Sequence, residues 1–120
     1  MNESGIAVYE FLHFFLLPLE DVLIVLDDMD LPFGKLRIRK GGSSGGHKGL
    51  ASVIYHLDGE EIPRLRIGIE RPEDIDEVNW VLSPFLPEEK EQLDPLIENA
   101  INAIFLWASE DIEIAMSKIN

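Results

Sequence analysis

Three carboxylates, Asp27, Asp28 and Asp30, stand just beyond an uninterrupted apolar run from Val22 to Leu26. Carboxylates at a strand end are site candidates. Past Pro32 and Gly34, the basic residues Lys35, Arg37 and Arg39 alternate with Leu36 and Ile38, and a glycine-rich run from Gly41 to Gly46 follows, with His47 and Lys48 at its exit. Backbone N–H groups of such a loop at a helix start can cradle phosphate, although glycine-rich stretches also serve as plain connectors. The Walker spacing and the dinucleotide fingerprint are both absent. Taken singly, Asp28 and Asp30 read as a solvated turn, and a lone histidine is more often a structural hydrogen-bonder than a catalyst. No second histidine lies at metal-ligand spacing from His47. The conjunction is more telling. From Leu31 to Leu57 there is no acidic residue and there are five basic ones, in a chain whose formal net charge is −13. A positive island in an acidic chain points to a local anionic ligand rather than to a generally basic surface.

These residues must be positioned by regular elements. Val22 to Leu26 reads as a strand buried on both faces, and Lys35 to Arg39 as a strand with one wet, positive face. Upstream, Ser4 or Asn2 is placed to cap a helix from about Ile6 to Leu17, with Val8, Phe11, Leu12 and Phe15 as its apolar stripe. The crowding of Phe11, Phe14 and Phe15 predicts burial on more than one side, and His13 among them reads as structural. Downstream, a helix runs from about His47 to Leu57 and ends at Asp58 and Gly59, and Pro63 precedes a strand from Leu65 to Ile69 that Arg71 and Pro72 close. The acidic run from Glu73 to Glu77 reads as a solvated loop, and Asn79 to Phe85 as a short edge strand. In the remainder, Leu93, Leu96, Ile97, Ala100, Ile101, Ile104, Trp107 and Ala108 share one predicted buried helical face, opposite Glu88, Glu89, Glu91 and Glu98. Pro95 fits only a first turn or a kink, and Ser109 looks like the cap of a last helix through Ile114 and Met116. Strands interleaved with helices predict an α/β class, a three-layer sandwich around a twisted mixed β-sheet, in one domain over 1–120.

Composition removes several classes. The chain has no cysteine, which excludes a disulfide scaffold and Cys-based zinc or nucleophile chemistry. The start lacks a basic n-region, and the apolar stretch Phe11 to Leu17 is far short of the ~20 residues of a membrane span, so a cytoplasmic protein is expected. No metal or cofactor is implied.

The order Leu26 to Pro32, then Gly34 to Arg39, then Gly41 to Leu50, then Arg64 to Ile69 resembles the bacterial-type peptidyl-tRNA hydrolases. Met1-Asn2-Glu3-Ser4-Gly5 is similar to their Met-Asn-x-Ser-Gly segment, so the likeness covers the whole chain. It implies metal-free hydrolysis of the ester between a peptide and the 3′ ribose of a tRNA. Asp27 would correspond to the aspartate that orients the family's base histidine. Asn2 would correspond to an asparagine that hydrogen-bonds the substrate end or the water. His47 and Lys48 stand where the family has His-Asn, with Lys48 keeping a donor and losing an acceptor. Arg39 and Arg66 resemble the family's clamp on the tRNA 5′ phosphate, against a plain reading as solvated strand charges.

Family members open with a strand and a Gly-Asn-Pro-Gly…Tyr…Thr-Arg-His-Asn-like stretch that carries the base, and no such stretch occurs here. The chain therefore looks like the C-terminal two-thirds of a member, with N-terminal strands missing, as from a truncated gene or fragment. Impaired hydrolysis is the corresponding expectation. The family's members are monomers, and loss of a central strand would favour self-association through an exposed sheet edge. Two other classes compete. One is a non-catalytic tRNA- or RNA-binding protein of the same fold, which salt-sensitive binding would favour. The other is an oligomeric remnant, marked by self-association without such binding.

Overall fold

The computed structural model describes residues 3–70, 91 and 93–120. Three strands, β1 (Ile24–Asp28), β2 (Leu36–Arg39) and β3 (Arg64–Gly68), form a mixed sheet in the order β1-β3-β2. Parallel pairing of β1 with β3 is bounded by Ile24 N donating to Pro63 O and Ile69 N donating to Asp28 O, both at 3.0 Å. β2 runs antiparallel to β3, with Gly68 N donating to Lys35 O and Gly34 N to Gly68 O. β1 thus starts two residues later than the apolar run suggests. The reason is local: Val22 N is already committed to Leu19 O in a 3-10 turn at Leu19–Asp21. Asp27 and Asp28 consequently lie within the strand, not beyond it. Nor is β1 buried on both faces, since Leu26 is buried while Val25 is 47% exposed. Among the described residues β1 is an edge strand, so one face of its apolar run stays uncovered.

The chain divides into two compact units. The first takes Met1–Leu26 and Ile38–Leu65. In it, α1 (Ser4–Phe15) packs against α2 (Lys48–Leu57). Close approach is made possible by Gly5, whose N–H donates to Ser52 Oγ at 3.0 Å. A Cβ at Gly5 would overlap the Ser52 carbonyl and stand 2.5 Å from His56 Nδ1. Leu12, Leu26, Ile38, Leu50, Val53, Ile62 and Leu65 form this unit's buried apolar set.

Ser4 does not cap α1. Glu3 occupies the cap position without a side-chain bond, Ser4 is the first helical residue, and Asn2 lies outside the described residues. The helix closes with Leu16 in the left-handed region (φ 54) and Leu17 N donating to Leu12 O. Burial on more than one side is also overturned: Phe11, Phe14 and Phe15 are exposed, Phe14 at 80%. α1 meets α2 through its Gly5 and Leu12 side, and no described residue covers the opposite one. There the aromatics cover one another instead, with Phe11 and Phe15 ring centres 4.6 Å apart.

The second unit takes Asp27–Arg37 and Arg66–Asn120. Between β1 and β2 the chain turns at Pro32 to Lys35, closed by Lys35 N donating to Pro32 O, with Gly34 at φ +84. That dihedral at the third turn position is what a type II turn requires of glycine. β3 ends against this turn, where a Cβ at Gly68 would overlap the Pro32 carbonyl. Two helices follow, α3 (Leu93–Ser109) and α4 (Ile112–Ile119), packed against each other. Pro95 sits in the first turn of α3, where its missing N–H leaves no helical bond unmade.

The predicted buried face of α3 is only partly realised. Leu96, Ala100, Ala103 and Trp107 are half-buried or buried, whereas Ile97, Ile101, Ile104 and Ala108 are exposed. Apolar residues span two adjoining helix faces, and the described structure occupies one of them. The cap of α4 is Asp111, whose Oδ1 accepts from Glu113 N at 2.9 Å, and not Ser109. Ser109 ends α3 instead, its hydroxyl donating back to Phe105 O at 2.7 Å. The readings of Arg71 and Pro72, of 73–77, of 79–85 and of Glu88 and Glu89 lie outside the described residues. No helix among the described residues is long and apolar enough to cross a membrane.

Two substitutions test this packing. Gly5→Ala should destabilise the chain by roughly 2 kcal/mol or more, because the new methyl meets backbone and not a pliable side chain. A lower urea midpoint at unchanged slope would record it. Phe14→Ser should leave stability within about 0.5 kcal/mol of the parent, and a larger loss would mean that the ring is covered.

Candidate functional site

In the second unit, β1 presents Asp27 and Asp28 at its C-terminal end, both half-buried. Asp28 is not the solvated turn residue its sequence context suggests. Its Oδ1 accepts from Asp30 N at 2.8 Å, and its Oδ2 lies 3.5 Å from Arg66 Nη1 in an ion pair whose side chains are 15% and 14% exposed. Asp30, by contrast, is exposed. Arg66 is the middle residue of β3, so the strand pairing that joins β3 to β1 brings guanidinium and carboxylate together.

In the first unit, β2 ends at Arg39, exposed and turned back so that Nη1 donates to Ile38 O at 3.2 Å. Leu36 and Ile38 are buried between the basic residues, as alternation predicts. The glycine loop then delivers the chain to α2. His47 is the N-cap: its backbone is extended and its Nδ1 accepts from Leu50 N at 3.2 Å. A side-chain acceptor at this position satisfies one of the N–H groups that a helix start leaves over. Lys48 is the first helical residue and is exposed. His47 and Lys48 are therefore held side by side at a helix start, with a fixed imidazole and a mobile ammonium.

The other two histidines are also engaged. His56 Nδ1 lies 2.8 Å from Ser52 O, one turn back in α2, and His13 stacks on Tyr9 at 4.6 Å. Each sits where a structural role accounts for it. Asn2 lies outside the described residues.

The residue that the sequence hides is Arg64. A period-2 reading puts it on the same face as Arg66, yet it is 1% exposed. Its guanidinium donates to the carbonyls of Gly42 and Ser43 in the glycine loop and of Glu60 and Ile62 in the turn before β3. The available signal was the pairing of a glycine run, whose carbonyls need donors, with an arginine flanked by buried apolar residues.

A family model described as peptidyl-tRNA hydrolase matches residues 1–120. The chain is 50% identical over 120 residues to a peptidyl-tRNA hydrolase of Caldanaerobacter subterraneus, and 48% identical to one of a Thermoanaerobacter species. In both cases the alignment takes in 100% of this chain and 65% of the relative, so the chain spans just under two thirds of those relatives' length. A crystal structure of peptidyl-tRNA hydrolase from Acinetobacter baumannii is similar at a TM-score of 0.89 and 34% identity, over 100% of this chain and 61% of that one. These matches lend no support to reading the chain as a truncated copy. With half of its positions shared and the same backbone course, the chain belongs to the peptidyl-tRNA hydrolase family.

Proposed function

We propose that this chain takes part in hydrolysing the ester between a peptide and the 3′ ribose of tRNA, which frees the tRNA for translation. The observation that carries this reading is the whole-chain family match, in which all four ordered motifs stand on regular elements or their ends.

Ester hydrolysis needs a base to take a proton from water, a group that keeps the base oriented, and donors for the developing oxyanion. Asp27 suits the second task. A half-buried carboxylate at a strand end can hold an imidazole in one tautomer, as the aspartate of a Ser-His-Asp triad does. Asn2 is proposed to bind the substrate end or the attacking water. His47 and Lys48 are proposed to meet the tRNA 3′ end, where Lys48 supplies charge and donors without the acceptor an asparagine would bring. Arg39 and Arg66 are proposed to clamp the 5′ phosphate. For Arg66 this means that phosphate competes with Asp28 for the same guanidinium.

The base is a group these 120 residues do not supply by correspondence. None of His13, His47 and His56 matches the family's base position, and each has a structural engagement. The same facts favour the second reading, a tRNA-binding chain without turnover of its own.

Hydrolysis of a peptidyl-tRNA by the chain alone, and mixed with the N-terminal segment of a complete relative, tests the proposal. The mixture should exceed the chain alone by on the order of 10²- to 10⁴-fold, and Asp27→Asn in the mixture should remove most of that gain. Robust turnover by the chain alone would overturn the assignment of the base. A silent mixture of folded components, with tRNA still bound, would leave the binding reading. Arg66→Ala should weaken tRNA binding and make the slope of log affinity against log salt shallower by about one. An unchanged slope would remove Arg66 from the phosphate clamp.

A further inference from the structure

Among the described residues, Arg64 is the one ionisable side chain that is fully buried. A guanidinium does not shed its proton, and its burial is costly unless its N–H groups are met. Here Nε donates to Ile62 O at 3.1 Å and Nη2 to Glu60 O at 2.8 Å, while Nη1 donates to Gly42 O at 2.8 Å and to Ser43 O at 2.9 Å. One side of the fork therefore grips the turn before β3, and the other grips the glycine loop. The grip is reciprocated: Gly42 N donates to Glu60 O at 3.1 Å, and Gly41 lies against the Glu60 carbonyl and the Glu61 side chain.

This loop needs such a constraint. Gly42, Gly45 and Gly46 all adopt positive φ, and glycine loses more conformational freedom on ordering than any other residue. Beyond the gripped carbonyls the path is continuous. Ser44 accepts from Gly46 N through its hydroxyl and from His47 N through its carbonyl, and His47 in turn caps Leu50 N.

We propose that Arg64 is a positioning residue: it sets the conformation of loop 41–46 and, through it, holds His47 and Lys48 where they meet the tRNA 3′ end. The second half of this statement rests on the function proposed above; the first does not. Lysine cannot replace it, because an ammonium concentrates its donors at one point and cannot span acceptors on both sides of the fork.

The test is Arg64→Lys in the 120-residue chain, read by amide hydrogen exchange and by binding of uncharged tRNA. Exchange at Gly42, Gly46, His47 and Leu50 should accelerate by about tenfold or more, while the amides of α1 and the helical circular dichroism stay as in the parent. Affinity for tRNA should fall roughly tenfold, as His47 and Lys48 lose their placement. Loop amides that exchange as before would overturn the proposal. Accelerated loop exchange with tRNA affinity unchanged would overturn the second half, since His47 and Lys48 would then not depend on the loop's conformation. If the parent chain itself fails to bind tRNA, the functional reading falls, and the exchange data still decide whether Arg64 orders the loop. If the variant does not fold, the parent gives the answer: the Arg64 Nε–H and the Gly42 and Gly46 amides should show a common opening free energy once each group's intrinsic exchange rate is divided out. Loop amides that open far more readily than that Nε–H would sink the idea.

Discussion

β3 is the strand that both of its neighbours bond, and where its polar groups point decides where theirs begin and end. Pro63 O takes the Ile24 N–H, and the Ile69 N–H reaches Asp28 O, so β1 is carried past its apolar stretch and the two carboxylates become part of the sheet. On the other side, Gly68 exchanges bonds with Gly34 and Lys35, at a position where any side chain would strike the Pro32 carbonyl. The same strand holds one arginine in the interior and another beside Asp28. Register, the place of Asp27 and the setting of both guanidiniums follow from one ladder of hydrogen bonds.

What could be read from sequence is what depends on neighbours in the chain. Alternation of Leu36 and Ile38 with arginines gave β2 its faces, and His47 at the end of a glycine run marked the start of α2, because both signals are local. The limits of β1 were not legible, since the 3-10 bond that takes Val22 N out of the sheet leaves no trace in the hydrophobic pattern. Helix faces failed for a different reason. Apolar periodicity says which residues could be buried, while burial needs a partner: α2 provides one for Gly5 and Leu12 but not for Phe14. At the last helix, Ser109 and Asp111 are both good caps, and the serine hydroxyl was already satisfied one turn back at Phe105.

The candidate site shows the same division. Asp27, Arg39, His47, Lys48 and Arg66 could be named because each stands in a motif. The Asp28 pairing and the burial of Arg64 could not, since they depend on residues 38 and 22 positions away in the chain. The positive island from Leu31 to Leu57 is thus only part of the charge arrangement. One of the cations just beyond it is neutralised by a carboxylate from before it, and another is enclosed by carbonyls. An acidic chain can keep basic groups in fixed places this way without a basic surface.

The cap at the start of α2 has a chemical corollary for recognition. Because the Leu50 N–H points at Nδ1 of His47, that nitrogen is the acceptor that faces the start of α2. The backbone amide of Leu50, by its direction alone, thus fixes which edge of the imidazole turns into the helix start and which turns away from it, so that anything reading this ring meets it in one orientation.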